Sequence, residues 1–199
     1  MIKMYLGLKI RIYPNSVQKK IIDEHIEGAR YVYNYFLKYA KDNKIYDDTI
    51  WKKKLYTMMK NDNNDLLNNC DYFLLLTQLD VLKTSYDRFF RGTIKNEPYF
   101  KKKGALVSAF KIHNKNDSIK IEDNKIYIKM LGYMKFRNKK DISKNKIYSA
   151  IVKKTLDDIY EVSILYENTI APIEKAYQKV GIDLGVRKFI TTSDSNYYL

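Results

Sequence analysis

One carboxylate stands inside the apolar run Lys179-Val180-Gly181-Ile182-Asp183-Leu184-Gly185-Val186-Arg187-Lys188-Phe189, with a glycine two residues away on either side. Read as a strand over about 178 to 184, the run points Val180, Ile182 and Leu184 one way and Gly181, Asp183 and Gly185 the other. Asp183 then faces away from the packed side. The flanking glycines remove side chains beside it and leave room for a phosphate or a metal ion to approach the backbone. Lys188-Phe189-Ile190-Thr191-Thr192 would return as the hairpin partner. Hard divalent cations take several oxygen ligands, so a single Asp supplies too few. The plain alternative is a solvated Asp at a strand end near a turn.

The other residues suited to metal or redox chemistry are sparse. Cys70 is the single cysteine, so no internal disulfide forms. With the two distant histidines, His25 and His113, it makes no closed zinc site. Both histidines read as surface or half-buried residues. A reducing, cytoplasmic setting is expected, because residues 1 to 11 are too short and too charged for a signal or a membrane span. No helix reads as membrane-binding.

The elements that must position Asp183 follow from hydrophobic period. Residues 5 to 13 alternate, with Leu6, Leu8, Ile10 and Ile12 on one face of a strand that Pro14-Asn15 ends. Asn15 with Gln18 forms a capping-box pattern, and Val17, Ile21, Ala29, Tyr33, Phe36 and Ala40 follow at helical spacing over about 16 to 41. A second helix near 49 to 60 turns Trp51, Leu55 and Met58 inward. The Asn/Asp-rich residues 61 to 71 read as a loop. From 72 to 91, Leu75, Leu79, Leu82, Tyr86 and Phe89 make one stripe that Gly92 ends, giving a three-helix bundle.

After Gly92 the period falls to two. Ile119, Ile121, Ile126 and Ile128 alternate around Glu122-Asp123-Asn124. Tyr148, Ala150 and Val152 face Tyr160, Val162, Ile164 and Tyr166 across residues 156 to 158. Residues 100 to 170 should be antiparallel β. The fold class is therefore α+β: a β-barrel-like domain begun by the N-terminal strand and completed after a helical insertion.

The chain has 199 residues, 37 Lys and Arg against 23 Asp and Glu, and a net charge of +14. Such a balance points to a polyanion. Nineteen Tyr and eight Phe interleaved with the lysines suit backbone contacts with base stacking. The same composition also follows from A/T-rich codon use.

Four segments carry a resemblance in order along the chain. LKIRIYPNSVQKKIIDEHIEGARYVYNYFL, LDVLKTSYDRFFRG with EPYFKKKG, IKIEDNKIYIKMLGYMKFR and VGIDLGVRKFITTSDS resemble successive signatures of the TnpB (OrfB) family of IS200/IS605 transposon-associated proteins, themselves similar to compact Cas12 nucleases. GIDLG is also found in actin-like ATPases, but there it lies near the N-terminus. The resemblance implies an RNA-guided DNA endonuclease whose partners are a guide RNA and target double-stranded DNA, with no small-molecule substrate. It implies a split wedge barrel (1–14 with 93–174), a helical recognition part (15–92) and the start of a ribonuclease-H-like RuvC nuclease domain (175–199). Asp183 falls on the first RuvC carboxylate, which in the family binds Mg²⁺ together with a Glu and an Asp further along.

On that reading the nucleic-acid contacts fall to Arg30, Tyr31 and Asn34 on the first helix, with Tyr33 more suited to the core. Lys52, Lys53 and Lys54 follow on the second helix, Arg88 and Arg91 on the third, and Phe100 with Lys101, Lys102 and Lys103 in a loop. By family geometry Thr49, Lys53 and Lys54 approach the target duplex, while at the start of the third helix, where the family tends to carry polar residues that help to read the target, Tyr72, Leu75 and Leu76 stand instead, with Gln78 displaced. The later acids and the CxxC pairs of a zinc ribbon have no counterpart in these residues. With one metal-binding acid of three, the polypeptide as given is expected not to cleave DNA. A nuclease-inactive binder, acting as repressor or inhibitor, and an inactive transposon relic are the other expectations.

Overall fold

The computed structural model describes residues 2–61, 65–105, 107–137, 142–170, 181–185, 190–193 and 197–198. Their contacts divide the chain into two compact units, one of Met4–Asn168 and one of Met1–Lys3 with Thr169–Leu199.

Strand β1 (Ile2–Tyr13) alternates as its sequence requires, with Ile10 and Ile12 buried, Leu6 and Leu8 half-buried, and Lys9, Arg11 and Tyr13 exposed. Pro14-Asn15 then turns the chain into α1 (Ser16–Asn43). The capping box is present: Asn15 Oδ1 accepts from the Gln18 amide at 2.9 Å, and Gln18 Oε1 accepts from the Asn15 amide at 3.0 Å. The same Gln18 side chain donates to the carbonyls of Leu131 (2.8 Å) and Tyr133 (3.0 Å), so the cap also ties the helix start to a strand more than a hundred residues on.

The buried face of α1 begins at Ile22 and runs through Ile26, Ala29, Val32, Tyr33, Phe36, Leu37 and Ala40. Val17, expected on that face, is exposed because the first turn precedes the point where the helix meets the core. His25, expected at the surface or half-buried, is buried among these residues, while His113 is half-buried as expected.

Helix α2 (Asp48–Asn61) starts where the Asp47 carboxylate accepts from the Thr49 amide at 2.8 Å, and it buries Trp51 and Leu55. The stretch expected to be a loop contains one turn of helix, α3 (Asp65–Asn68), which exists because Leu67 is fully buried and anchors it. Helix α4 (Tyr72–Phe90) is capped by Asp71, whose carboxylate accepts from the Leu74 amide at 2.9 Å. Its stripe of Leu75, Leu79, Leu82 and Tyr86 is buried and is widened by Leu74. Phe89, the last member of the expected stripe, is half-buried. Gly92 ends the helix with φ of +70°, a value that disfavours other residues, and Thr93 donates back to the Arg88 carbonyl at 2.9 Å.

Six further strands follow: β2 (Val107–His113), β3 (Ile119–Glu122), β4 (Lys125–Ile128), β5 (Gly132–Arg137), β6 (Ile147–Thr155) and β7 (Tyr160–Ile170). The sheet order is β2-β6-β7-β1-β5-β4-β3. The β3–β4 turn is two residues, Asp123 and Asn124, both at positive φ (44° and 59°), because Glu122, expected in the turn, still pairs with Lys125. Across β6 and β7, Ala150 opposes Ile164 and Val152 opposes Val162, all buried.

The sheet is a curled half-barrel, open between β2 and β3 rather than closed. Helices α1 and α4 pack against β2, and Gln78 of α4 reaches the Lys111 carbonyl at 3.4 Å. The architecture is thus mixed α+β with the helices lodged against an antiparallel sheet.

In the smaller unit, β8 (Ile182–Leu184), β9 (Ile190–Thr192) and β10 (Tyr197–Tyr198) form a second sheet in the order β10-β9-β8. Parts of the expected strands, 178–180 and 188–189, lie outside the described residues.

Candidate nucleic-acid interface

The cationic residues singled out above divide into those held by carboxylates and those left to solvent. On α1, Arg30 donates from Nη2 and Nε to Glu27 Oε2 at 2.6 and 3.2 Å, a half-buried pair within one turn that neutralises its charge locally. On α2, Lys52 bridges Asp48 (2.6 Å) and Asp80 of α4 (3.0 Å). That bond holds the Asp48 carboxyl below its usual range and the Lys52 amine above its own. Lys52 is therefore a strut between helices, its charge shared with two carboxylates. Lys54 lies 5.0 Å from the Tyr39 ring and 5.9 Å from the Tyr35 ring, while Lys53 is exposed.

Tyr31 stacks on Tyr35 with centroids 6.2 Å apart and planes at 28°. Tyr33 is buried in the core, as its helical position predicts. Thr49 is exposed in the first turn of α2, and Tyr72 is half-buried against Phe73 at the start of α4.

Asn34 has a structural task that spacing did not reveal. Its Nδ2 donates to the Lys101 carbonyl at 2.9 Å, and its Oδ1 accepts from the Lys101 amide at 2.8 Å. A side-chain amide here does what a neighbouring strand would do, pinning the irregular segment after α4 onto α1. The Lys101 amine lies 4.0 Å from the centre of the Tyr33 ring. Burial pushes it down to about 8, against the opposing preference of a ring face for the charged form. Lys101 is thus half-withdrawn from solvent. Lys102 and Lys103 beyond it are exposed, as are Arg88 and Arg91 at the end of α4. Among the described residues none of these four carries an ion pair. They are cations free to meet a polyanion, as the exposed Lys53 of α2 is, and all four lie in the segment from Arg88 to Lys103.

Two supports of this surface were not visible in the sequence. His25 donates from Nδ1 to the Ile21 carbonyl at 2.7 Å, and its Nε2 accepts from the Asp71 amide at 3.3 Å. An amide only donates, so the proton must sit on Nδ1. Burial lowers its pKa, opposed by Asp71 and Glu24. Gly28 is the second: a Cβ there would stand 2.3 Å from Cys70 Sγ, so α1 admits the α3–α4 connection only because this residue has no side chain. Cys70 is correspondingly buried, and its thiol is pushed up to about 11.

Asp183 sits at the centre of β8 opposite Thr191. The base of the hairpin is closed by Gly181, whose amide donates to Ser193 Oγ and whose carbonyl accepts from the Ser193 amide, both at 2.9 Å. Asp183 is exposed, but so are Ile182 (62%) and Leu184 (70%) on the face expected to pack. Alternation orients side chains on a strand, but whether a face is covered depends on what lies against it, and the described residues offer no cover there. Mg²⁺ would need several oxygen ligands. No group of three or more His, Cys, Asp or Glu close enough to hold a metal occurs among the described residues. Asp183 alone does not fit the ion, and no chemical step through one is derived.

The region from 1 to 44 matches the model of the OrfB_IS605 helix-turn-helix domain. Over this range the described residues form a strand and one unbroken helix of 28 residues. The chain is also 29% identical over 125 residues to "Putative RNA-guided DNA endonuclease InsQ" of Escherichia coli K12, an alignment covering 62% of this chain and 30% of that protein. The chain therefore spans about a third of the length of the curated relative it matches. The matched family model and the matched protein point the same way as the motifs along the sequence: over these stretches the chain is similar to TnpB (OrfB) proteins.

Proposed function

We propose that residues 4–168 form the nucleic-acid-binding part of a TnpB-like, transposon-associated RNA-guided DNA endonuclease, gripping guide RNA and target DNA. The observation that carries this reading is the set of four exposed, unpaired cations, Arg88, Arg91, Lys102 and Lys103, within a chain of net charge +14. Most other cations in the expected interface already have carboxylate or ring partners, so these four are the ones that gain most from phosphate. The relatives support the choice of RNA and DNA over other polyanions. In this reading the half-barrel corresponds to the family's wedge domain, α1, α2 and α4 to its helical recognition part, and the β8–β9 hairpin to the opening of its RuvC domain.

Asp183 is proposed as the first of the family's metal-binding carboxylates, Mg²⁺ being the ion the family implies. Cleavage then requires further acids beyond those described here. The test is retention of a structured RNA and of a DNA duplex by the purified chain at rising salt. Binding of both that weakens steeply with salt is expected. Failure to retain either at low salt would overturn the reading.

A further inference from the structure

Residues 97–103 have no regular structure, yet they are fastened at each step. The Glu97 carboxylate meets Lys41 Nζ at 3.4 Å, Pro98 is buried, Asn34 holds both backbone groups of Lys101, and the Lys101 amine lies on the Tyr33 ring. Between the fastened positions stand Tyr99, 80% exposed, and Phe100, 48% exposed with Lys41 5.8 Å from its ring centre. Lys102 and Lys103 follow, both exposed. Two adjacent aromatic rings left in water on a segment held this firmly are not explained by packing, since neither contributes to the core.

We propose that Tyr99 and Phe100 are a preassembled stacking platform for unpaired bases of a single nucleic-acid strand, with Lys102 and Lys103 taking its phosphates. Aromatic faces accept any base, and cations beside them track the backbone. Because the segment is already fixed, little ordering remains to oppose binding. This rests on the nucleic-acid reading above and narrows it: the aromatic pair recognises unpaired bases, while the cations beside it meet the phosphates of single strand and duplex alike.

Trp51 is fully buried, so a Tyr99→Trp variant of the whole chain carries a second, exposed tryptophan whose emission reports on position 99. Oligouridylate, oligothymidylate, an abasic oligonucleotide of equal length and a DNA duplex are titrated in turn, with anisotropy of a labelled strand giving binding independently. Base-bearing single strands quench the new emission, the abasic strand and the duplex bind without quenching it, and the stronger of the RNA and DNA arms identifies the source. Tyr99→Ala with Phe100→Leu weakens single-strand binding by about ten- to a hundredfold, leaves duplex binding unchanged, and is rescued at the first position by Tyr99→Phe. If single strands bind without quenching, or the double variant binds them as wild type does, the platform is overturned while the functional reading stands. If no nucleic acid binds at all, both fall.

Discussion

The segment 97–103 and the β8–β9 hairpin both hold residues with chemical potential in the open, but they are built in opposite ways. The first is irregular backbone held by side chains from α1, among them Asn34, Lys41 and Tyr33. The second is regular strand whose described contacts lie within its own small sheet, with Ile182 and Leu184 bare on either side of Asp183. Regular secondary structure is therefore no measure of how firmly a site is positioned. Ordered irregular segments need specific tethers, whereas a hairpin satisfies its backbone alone.

Crowding gives the largest contrast. Gly28→Val forces a Cβ to within 2.3 Å of Cys70 Sγ in a closed core and should destabilise the chain by about 1–3 kcal/mol. Gly181→Ala meets Ser193 at 3.5 Å, an ordinary contact, and should leave unfolding almost unchanged. Denaturant midpoints of the two variants compare the regions directly, and equal losses would break the comparison.

Next comes the tether. Asn34→Ala leaves the Lys101 amide and carbonyl without their partner and should lower stability by about 1–3 kcal/mol. Proteolysis should then cut first between 97 and 103. If cleavage there is no faster than in wild type, Asn34 does not hold the segment.

The helical body also carries a pH dependence. His25 has its pKa lowered by burial, so between its folded value and about 6.5 the unfolded chain binds the proton more readily. Stability should rise with pH through that window, level off above about 6.5, and fall on acidification as the buried ring charges and Nε2 can no longer accept from Asp71. His113 is shifted the same way, so a His25→Gln variant isolates the effect: thermal midpoints between pH 5.5 and 7.5 should move less in the variant. The smallest effect belongs to Asp183→Ala. An exposed carboxylate outside every described bond should change stability by less than about 0.5 kcal/mol and leave nucleic-acid binding intact. A larger loss in either would make Asp183 structural.

What the sequence disclosed depended on whether one local rule decided the outcome. The capping box of Asn15 and Gln18, the α4 stripe and its end at Gly92, and the β6–β7 pairing were legible because spacing alone specifies them. Leu67 turned an apparent loop into a helical turn only through burial, and the open half-barrel was not legible because strand alternation says nothing of how the sheet's ends meet. At the site, the exposure of Lys53, Arg88, Arg91, Lys102 and Lys103 followed from residue type. The capture of Arg30 by Glu27 could have been read from their i, i+3 spacing, and that of Lys52 by Asp48 from i, i+4. Lys52 with Asp80, and Asn34 with Lys101, are contacts between distant positions that one sequence does not reveal.

The central claim is that Arg88, Arg91, Lys102 and Lys103 meet phosphates. It is tested most directly by the slope of log K against log salt for a DNA duplex, compared between the wild type and a variant with Arg88, Arg91, Lys102 and Lys103 all changed to Gln. Every phosphate that is no longer neutralised reduces the slope by about 0.9, so the account predicts a slope shallower by about 3 to 4 with the fold intact. An unchanged slope would contradict it.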